Sequence, residues 1–153
     1  MIRMLLKTEN SPSLLVVRLA LAIVIFPHGT QKVLGWFGGS GFTATIHQFS
    51  AMGFPAWSVI LLMTTEFLGA LLLVLGFLSR LWALATGISI SICMSLYHIQ
   101  NGFFMNWFGL QKGEGFEYHI LVLGICLALV IGGGGMFSLD QRLADRQDNL
   151  NKL

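Results

Sequence analysis

Four long apolar stretches, most of them near twenty residues and parted by short polar segments, leave this chain few ways to fold. A helix rises about 1.5 Å per residue, so about twenty residues cross the roughly 30 Å hydrocarbon core of a bilayer. The 153 residues are 55% hydrophobic and 10% charged, whereas a water-soluble domain carries about 25% charged residues. A soluble fold would leave too much apolar surface uncovered. The sequence therefore predicts an all-α, integral membrane four-helix bundle in one domain, with the lipid bilayer as its first partner. A net charge of +2 is too small to point to nucleic acid.

Along the chain, residues 1–12 form a polar N-terminal segment with Arg3, Lys7 and Glu9, ending at Ser11-Pro12, a helix entry. The transmembrane domain is expected over 13–137, with spans at about 14–34, 56–78, 81–100 and 116–131, and a polar tail over 138–153. The first run is too long for a signal-peptide core and lacks a small-residue cleavage site. The Gly-rich loop that follows it holds a short interfacial helix over 43–49, with Phe37, Phe42, Phe54 and Trp57 at the membrane boundary. Only Ser79-Arg80 parts the second and third spans, which must form a tight antiparallel hairpin. Arg3, Lys7, Arg80, Arg142, Arg146 and Lys152 fall on one side of the membrane, against Lys32 and Lys112 on the other. The positive-inside rule then places both termini in the cytoplasm and both long loops outside.

This topology gathers the scattered polar residues. His28 and Lys32, four residues apart, share a face near the outer end of the first span, and Arg18 lies on roughly the same stripe but deeper. Glu66 falls near mid-membrane, where an acid costs about 2.5–3.5 kcal/mol on insertion scales unless paired, protonated or wet. It is expected to have a partner and is the candidate proton relay; no catalytic residue is assigned. His98 closes the third span on the outer side, where Glu114, Glu117 and His119 open the fourth. Plainer readings stay open. Arg18 either snorkels to headgroups or forms a buried ion pair, and Lys32 anchors a helix end. His28 satisfies a carbonyl freed by Pro27, and Glu114 and Glu117 complement a helix dipole. His47 is an ordinary interfacial residue.

Cys93 and Cys126 sit singly in apolar runs without a CxxC and read as buried small residues. His28, His98, His119, Glu66 and Glu117 offer nitrogen and oxygen ligands for a metal, but no pair has a tight spacing such as HxxxH. A metal centre is not the expected reading. Thr65 and Gly69 on the second span, and Gly87, Ser91 and Ser95 on the third, are small residues at four-residue spacing and are expected to form the contact surface of the hairpin.

Several short motifs occur in a telling order: Arg18, Pro27-His28-Gly29 with Lys32, Glu66-Phe67-Leu68-Gly69, Leu75-Gly76-Phe77-Leu78-Ser79-Arg80, His98, Gly113-Glu114-Gly115 with Glu117, and Ser138-Leu139-Asp140. This combination, over roughly residues 13–143, resembles the DoxX family of small four-helix bacterial membrane proteins. The resemblance implies a location in the inner membrane and carries the family's polar positions onto Arg18, His28, Lys32, Glu66, His98, Glu114 and Glu117. Where the family usually has a Gly-Pro-Gly turn before Ser-Leu-Asp, this chain has Gly132–Gly135 and Met136, which implies a more flexible turn.

The family takes its name from a subunit of a thiosulfate:quinone oxidoreductase. A quinone-linked membrane oxidoreductase subunit is therefore the first functional expectation. His28, Lys32 and His98 would offer donors to the quinone carbonyls, Glu66 would relay protons, and Trp36, Trp107 and Phe108 would pack against the ring. No flavin, haem or iron–sulfur motif is recognisable, so a partner redox protein would deliver electrons. One alternative is a carrier or binding protein for a small polar solute, with Arg18 and Lys32 holding an anion in a homo-oligomer. Another is an assembly subunit whose outer loops dock a periplasmic enzyme.

Overall fold

A computed structural model describes residues 5–150, and all regular structure among them is helical. Arg3 and Lys152, which enter the charge count above, lie outside the described residues. Helix α1 (Pro12–Val33) starts where the Ser11 hydroxyl accepts from the Leu14 N–H at 3.5 Å and Pro12 takes the first turn, where its missing N–H costs nothing. A 3-10 turn at Trp36–Gly38 leads to the ten-residue α2 (Phe42–Ala51), at the place of the expected interfacial helix. Then come α3 (Ala56–Leu75), α4 (Ser79–Asn101), α5 (Glu117–Gly132) and α6 (Leu139–Leu150).

Helices α1, α3 and α4 are long and apolar enough to cross a membrane. The 16 residues of α5 give about 24 Å of helix. Val16, Ile23, Leu61, Val74, Ile88 and Leu121 stay exposed around the bundle, a surface suited to lipid and not to water. Inside, α1 is central: Leu21, Ala22 and Ile25 pack with Ala70 and Leu73 of α3 and with Val122, Cys126 and Leu129 of α5.

The small residues divide their work differently from the expectation. Gly69 does face its hairpin partner, since a Cβ there would lie 2.7 Å from the Trp82 ring. Gly87 instead faces Cys126 of α5, and α4 packs chiefly against α5. Ser91 and Ser95 turn their hydroxyls back onto the Gly87 and Ser91 carbonyls, each at 2.8 Å. A hydroxyl satisfied within its own helix has no need of a neighbouring one.

Helix α3 ends at Leu75, three residues before the expected limit, because Gly76 turns left-handed at φ +66°. The Gly76 N–H then donates to the Leu73 carbonyl and the Phe77 N–H to that of Leu72, the paired closure of a Schellman motif. Leu78 follows at φ +51°, a conformation costing a branched residue roughly 1–2 kcal/mol. Asp140 holds it there. Its two carboxylate oxygens accept from the Leu78 N–H at 2.7 Å and the Ser79 N–H at 2.8 Å, capping α4, while its own N–H donates to the Gly76 carbonyl at 2.9 Å.

The start of the expected polar tail is thus part of the bundle. Ser138 and Asp140 are buried because the hairpin leaves open N–H groups that a carboxylate can satisfy. The glycine run is likewise packed rather than loose. All four of Gly132–Gly135 are buried; Gly133 and Gly135 have positive φ, and a Cβ at Gly135 would meet the Leu15 N–H at 2.7 Å. The Gly135 N–H donates to the Thr8 hydroxyl at 2.7 Å, and Arg80 ties the Lys7 and Val130 carbonyls together.

Asp140→Ala should leave the buried Ser79 N–H and the part-buried Leu78 N–H unsatisfied and release the left-handed turn. With charge-assisted hydrogen bonds contributing about 1.5–3 kcal/mol each, a loss of at least about 3 kcal/mol is expected. It would be read as a lowered thermal midpoint in detergent, and an unchanged midpoint would contradict the capping role.

Candidate polar site at the loop end

Two π turns build the site. The first, Thr65–Gly69 within α3, meets α1 at Gly29, where an added Cβ would lie 2.5 Å from the Glu66 carbonyl carbon and the Phe67 nitrogen. Only glycine permits that approach. Phe26 stacks on Phe67 beside it at 5.6 Å. The backbone contact brings Glu66 beside Lys32, one turn beyond Gly29, and Lys32 Nζ reaches Glu66 Oε2 at 2.6 Å with 21% and 15% of the two side chains exposed. Nζ also approaches the His28 carbonyl at 3.4 Å, and Thr45 of α2 donates to the Lys32 carbonyl. Outside the pair lies a polar vestibule of about 220 Å³ lined by Gln31, Lys32, Ser40, Thr45 and Gln48 among others.

The second π turn, Met94–His98, lies within α4. In an α-helix, residues five apart point about 140° away from each other. The i→i+5 bonding of a π turn brings them nearly into line. Cys93 and His98 therefore share a face, and one ligand atom from each of Cys93, His98 and His119 lies within 4.8 Å of the others. The His98 and His119 rings are 4.1 Å apart between centroids. His98 Nδ1 lies 2.9 Å from the Glu114 carbonyl oxygen, while the Nδ1 of His119, a residue only 5% exposed, has no hydrogen-bond partner.

The carboxylates of Glu114 and Glu117 brace the loop between α4 and α5. Glu114 Oε2 accepts from the Asn106 N–H at 2.7 Å and Glu117 Oε1 from the Met105 N–H at 2.9 Å. Asn101 adds bonds to the Tyr97 and Glu114 carbonyls. Below this loop is an apolar groove of about 470 Å³ between Phe103, Met105 and Trp107 on one side and Tyr118, Ile120 and Leu121 on the other, with Glu117 also lining it. The Tyr118 ring meets His119 edge-on at 5.6 Å, so one ring contact joins the groove to the imidazoles.

Of the residues singled out from the sequence, Lys32 pairs with Glu66, His98 meets His119 at a tilt of 45°, and Glu114 and Glu117 hold the loop. The His28 side chain is exposed, and only its carbonyl touches the pair. Arg18 lies at the other end, fourteen residues or about 21 Å before Lys32. It is buried, with Nη2 at 3.5 Å from the Met136 carbonyl and, among the described residues, no hydrogen-bond partner for Nε or Nη1. Trp107 lines the groove; Trp36 and Phe108 do not. Cys93 escapes a sequence reading because ordinary helical spacing turns it away from His98. Cys126, by contrast, is a buried core residue.

The family model described as DoxX matches residues 13–99, more than half of the chain, from the second residue of α1 to near the end of α4. The chain belongs to the DoxX family. The matched region contains Arg18, His28, Lys32, Glu66, Cys93 and His98, and stops short of Glu114, Glu117 and His119. The chain is also similar to the inner membrane protein YqjF of Escherichia coli (strain K12), with 28% identity over 138 residues that cover 90% of this chain and 97% of that relative. No solved structure matches it. As a DoxX-family chain with several apolar helices of membrane-spanning length, it is a multi-pass inner-membrane protein.

Removing one charge of the Lys32–Glu66 pair should leave the other half-buried without a counterion. Lys32→Met and Glu66→Gln are each expected to lower the thermal midpoint in detergent, and the double variant to recover part of the loss, with a coupling of about 0.5–3 kcal/mol. Strict additivity of the two single effects would mean that the pair contributes nothing to stability.

Proposed function

We propose that this chain is the quinone-binding membrane subunit of an oxidoreductase whose electrons arrive from a partner protein. The observation that carries the reading is the apolar groove, which lies among lipid-facing side chains and is joined to the two adjacent imidazoles through Tyr118. A quinone enters its site from lipid, needs apolar walls for its ring, and needs donors for its carbonyls with a proton route to water. Phe103, Trp107 and Leu121 supply the walls. The Tyr118 hydroxyl and the His119–His98 pair supply exchangeable protons on the inner side.

Beyond the imidazoles, Lys32 holds Glu66 and opens onto the polar vestibule. Glu66 is the relay in this arrangement: it exchanges its proton or its partner as protons pass between the vestibule and the imidazoles. When bound, a quinone contributes two-electron redox chemistry; the chain holds the ring, keeps water from it and moves protons. Both termini lie in the cytoplasm on the argument from Lys and Arg placement, so groove and vestibule belong to the periplasmic half. Trp107, Phe108 and Leu110 are exposed to 79%, 87% and 88% and offer an apolar tip against which the electron-delivering partner docks.

Mass spectrometry of small molecules extracted from the protein purified in mild detergent tests this. Quinone should be enriched over an unrelated membrane-protein control and depleted several-fold in Leu121→Trp, which fills the groove. Lack of enrichment would end the quinone reading. The vestibule would then favour binding of a small polar solute, to be sought in the same extracts.

A further inference from the structure

We infer that Cys93, His98 and His119 form a binding site for a thiophilic d10 metal ion, Zn2+ or Cu+, an assignment that shares its two imidazoles with the quinone reading but does not rest on it. Three observations converge on it. The three ligand atoms already lie within 4.8 Å of one another, and they come from two helices, α4 and α5, that pack extensively together. Metal–sulfur bonds of about 2.3 Å and metal–nitrogen bonds of about 2.0–2.1 Å require ligand atoms roughly 3.5 Å apart. Side-chain rotations of about an ångström close that gap without moving a helix.

The second observation concerns the imidazoles. His98 Nδ1 faces the Glu114 carbonyl oxygen at 2.9 Å, and a carbonyl only accepts, so Nδ1 carries the proton. That tautomer leaves the Nε2 lone pair free. A histidine fixed through its far nitrogen by a backbone carbonyl is the usual outer-shell arrangement of a metal ligand. The third is His119, 5% exposed, whose Nδ1 is buried and has no hydrogen-bond partner. A buried polar atom without a partner costs about 1–3 kcal/mol, a penalty that coordination through Nδ1 would remove.

The ligand chemistry sets the ion. One sulfur and two imidazole nitrogens suit Zn2+ and Cu+, and not the hard cations Mg2+ or Ca2+, which take oxygen. Neither d10 ion demands a fixed geometry, so three protein ligands suffice and a fourth position stays open, as in catalytic rather than structural zinc sites. Binding forms the metal–sulfur bond and breaks the S–H bond of Cys93, with the proton released to bulk water. The π turn at Met94–His98 is what makes the site: with α geometry throughout, His98 would point away from Cys93.

The test uses the full chain in mild detergent, stripped with chelator and titrated separately with Zn2+, with Cu+ under reductant, and with Co2+ as a spectroscopic probe. One ion of Zn2+ or Cu+ should bind per chain, and Co2+ should give a thiolate charge-transfer band in the near ultraviolet. Cys93→Ser should abolish that band and weaken binding by about 100-fold or more, beyond the 10–100-fold typical of outer-shell losses. Cys126→Ala should leave both unchanged. In the unaltered protein, one equivalent of Zn2+ should protect Cys93 from maleimide, read by peptide mass spectrometry, so the outcome does not depend on any variant folding. Binding below one ion per chain, no thiolate band, or unprotected Cys93 would overturn the site, as would unchanged binding in a folded Cys93→Ser protein.

Discussion

A charge or an open N–H inside a membrane bundle persists only with a partner in place, and that constraint acts at both ends of this chain. At one end Glu66 sits against Lys32; at the other the Asp140 carboxylate accepts from the Leu78 and Ser79 N–H groups. The helices between are joined by apolar packing around α1, which is adaptable. Their register is not, because each polar partner must arrive at one particular depth. Gly29 and Gly76 serve this requirement directly, the first by letting α1 touch the backbone at Glu66, the second by turning the chain where Arg18 and Ser138 leave no room for a side chain.

The loop end illustrates how few polar residues build a site when the helices themselves are irregular. Two π turns, one in α3 and one in α4, lie beside Glu66 and His98 respectively. Such turns recur at functional sites, and here each re-aims a titratable side chain inward. The acids nearest to them are otherwise engaged. Glu114 and Glu117 hold the loop backbone at Asn106 and Met105, and this bracing keeps Phe103, Met105 and Trp107 over the groove and fixes the carbonyl that orients His98.

Much of the architecture was legible from the sequence. Span length and charge scarcity suffice for the all-α membrane bundle, and the insertion cost of Glu66 alone demanded a partner. The ordered motifs around Arg18, Glu66 and His98 led to the family. What sequence reading missed depended on geometry beyond regular periodicity or on distant contacts. Cys93 looked like a core residue because a straight α-helix turns it away from His98. Asp140 lay in an apparent solvent tail, since its partners are 61 and 62 residues earlier. Gly132–Gly135 suggested looseness, yet the Lys7–Leu15 segment, and at Gly134 the side chains of Ser79, Ser138 and Arg18, fill the space that side chains would occupy. His28 and Lys32 share a stripe by number, but only Lys32 turns toward Glu66.

Each π turn also divides its helix into two segments whose facings are set separately. Below the turns, α3 and α4 present Ala70, Leu73 and Ala83 to a packed floor that Asp140 and Arg80 lock. Above them, the same helices present Glu66 and His98 to an upper tier. One surplus residue in a helical turn acts as a swivel of about 100°, so the tier can be re-aimed while the floor keeps its packing. Divergence in what such a scaffold binds then requires changes in only one storey of the building.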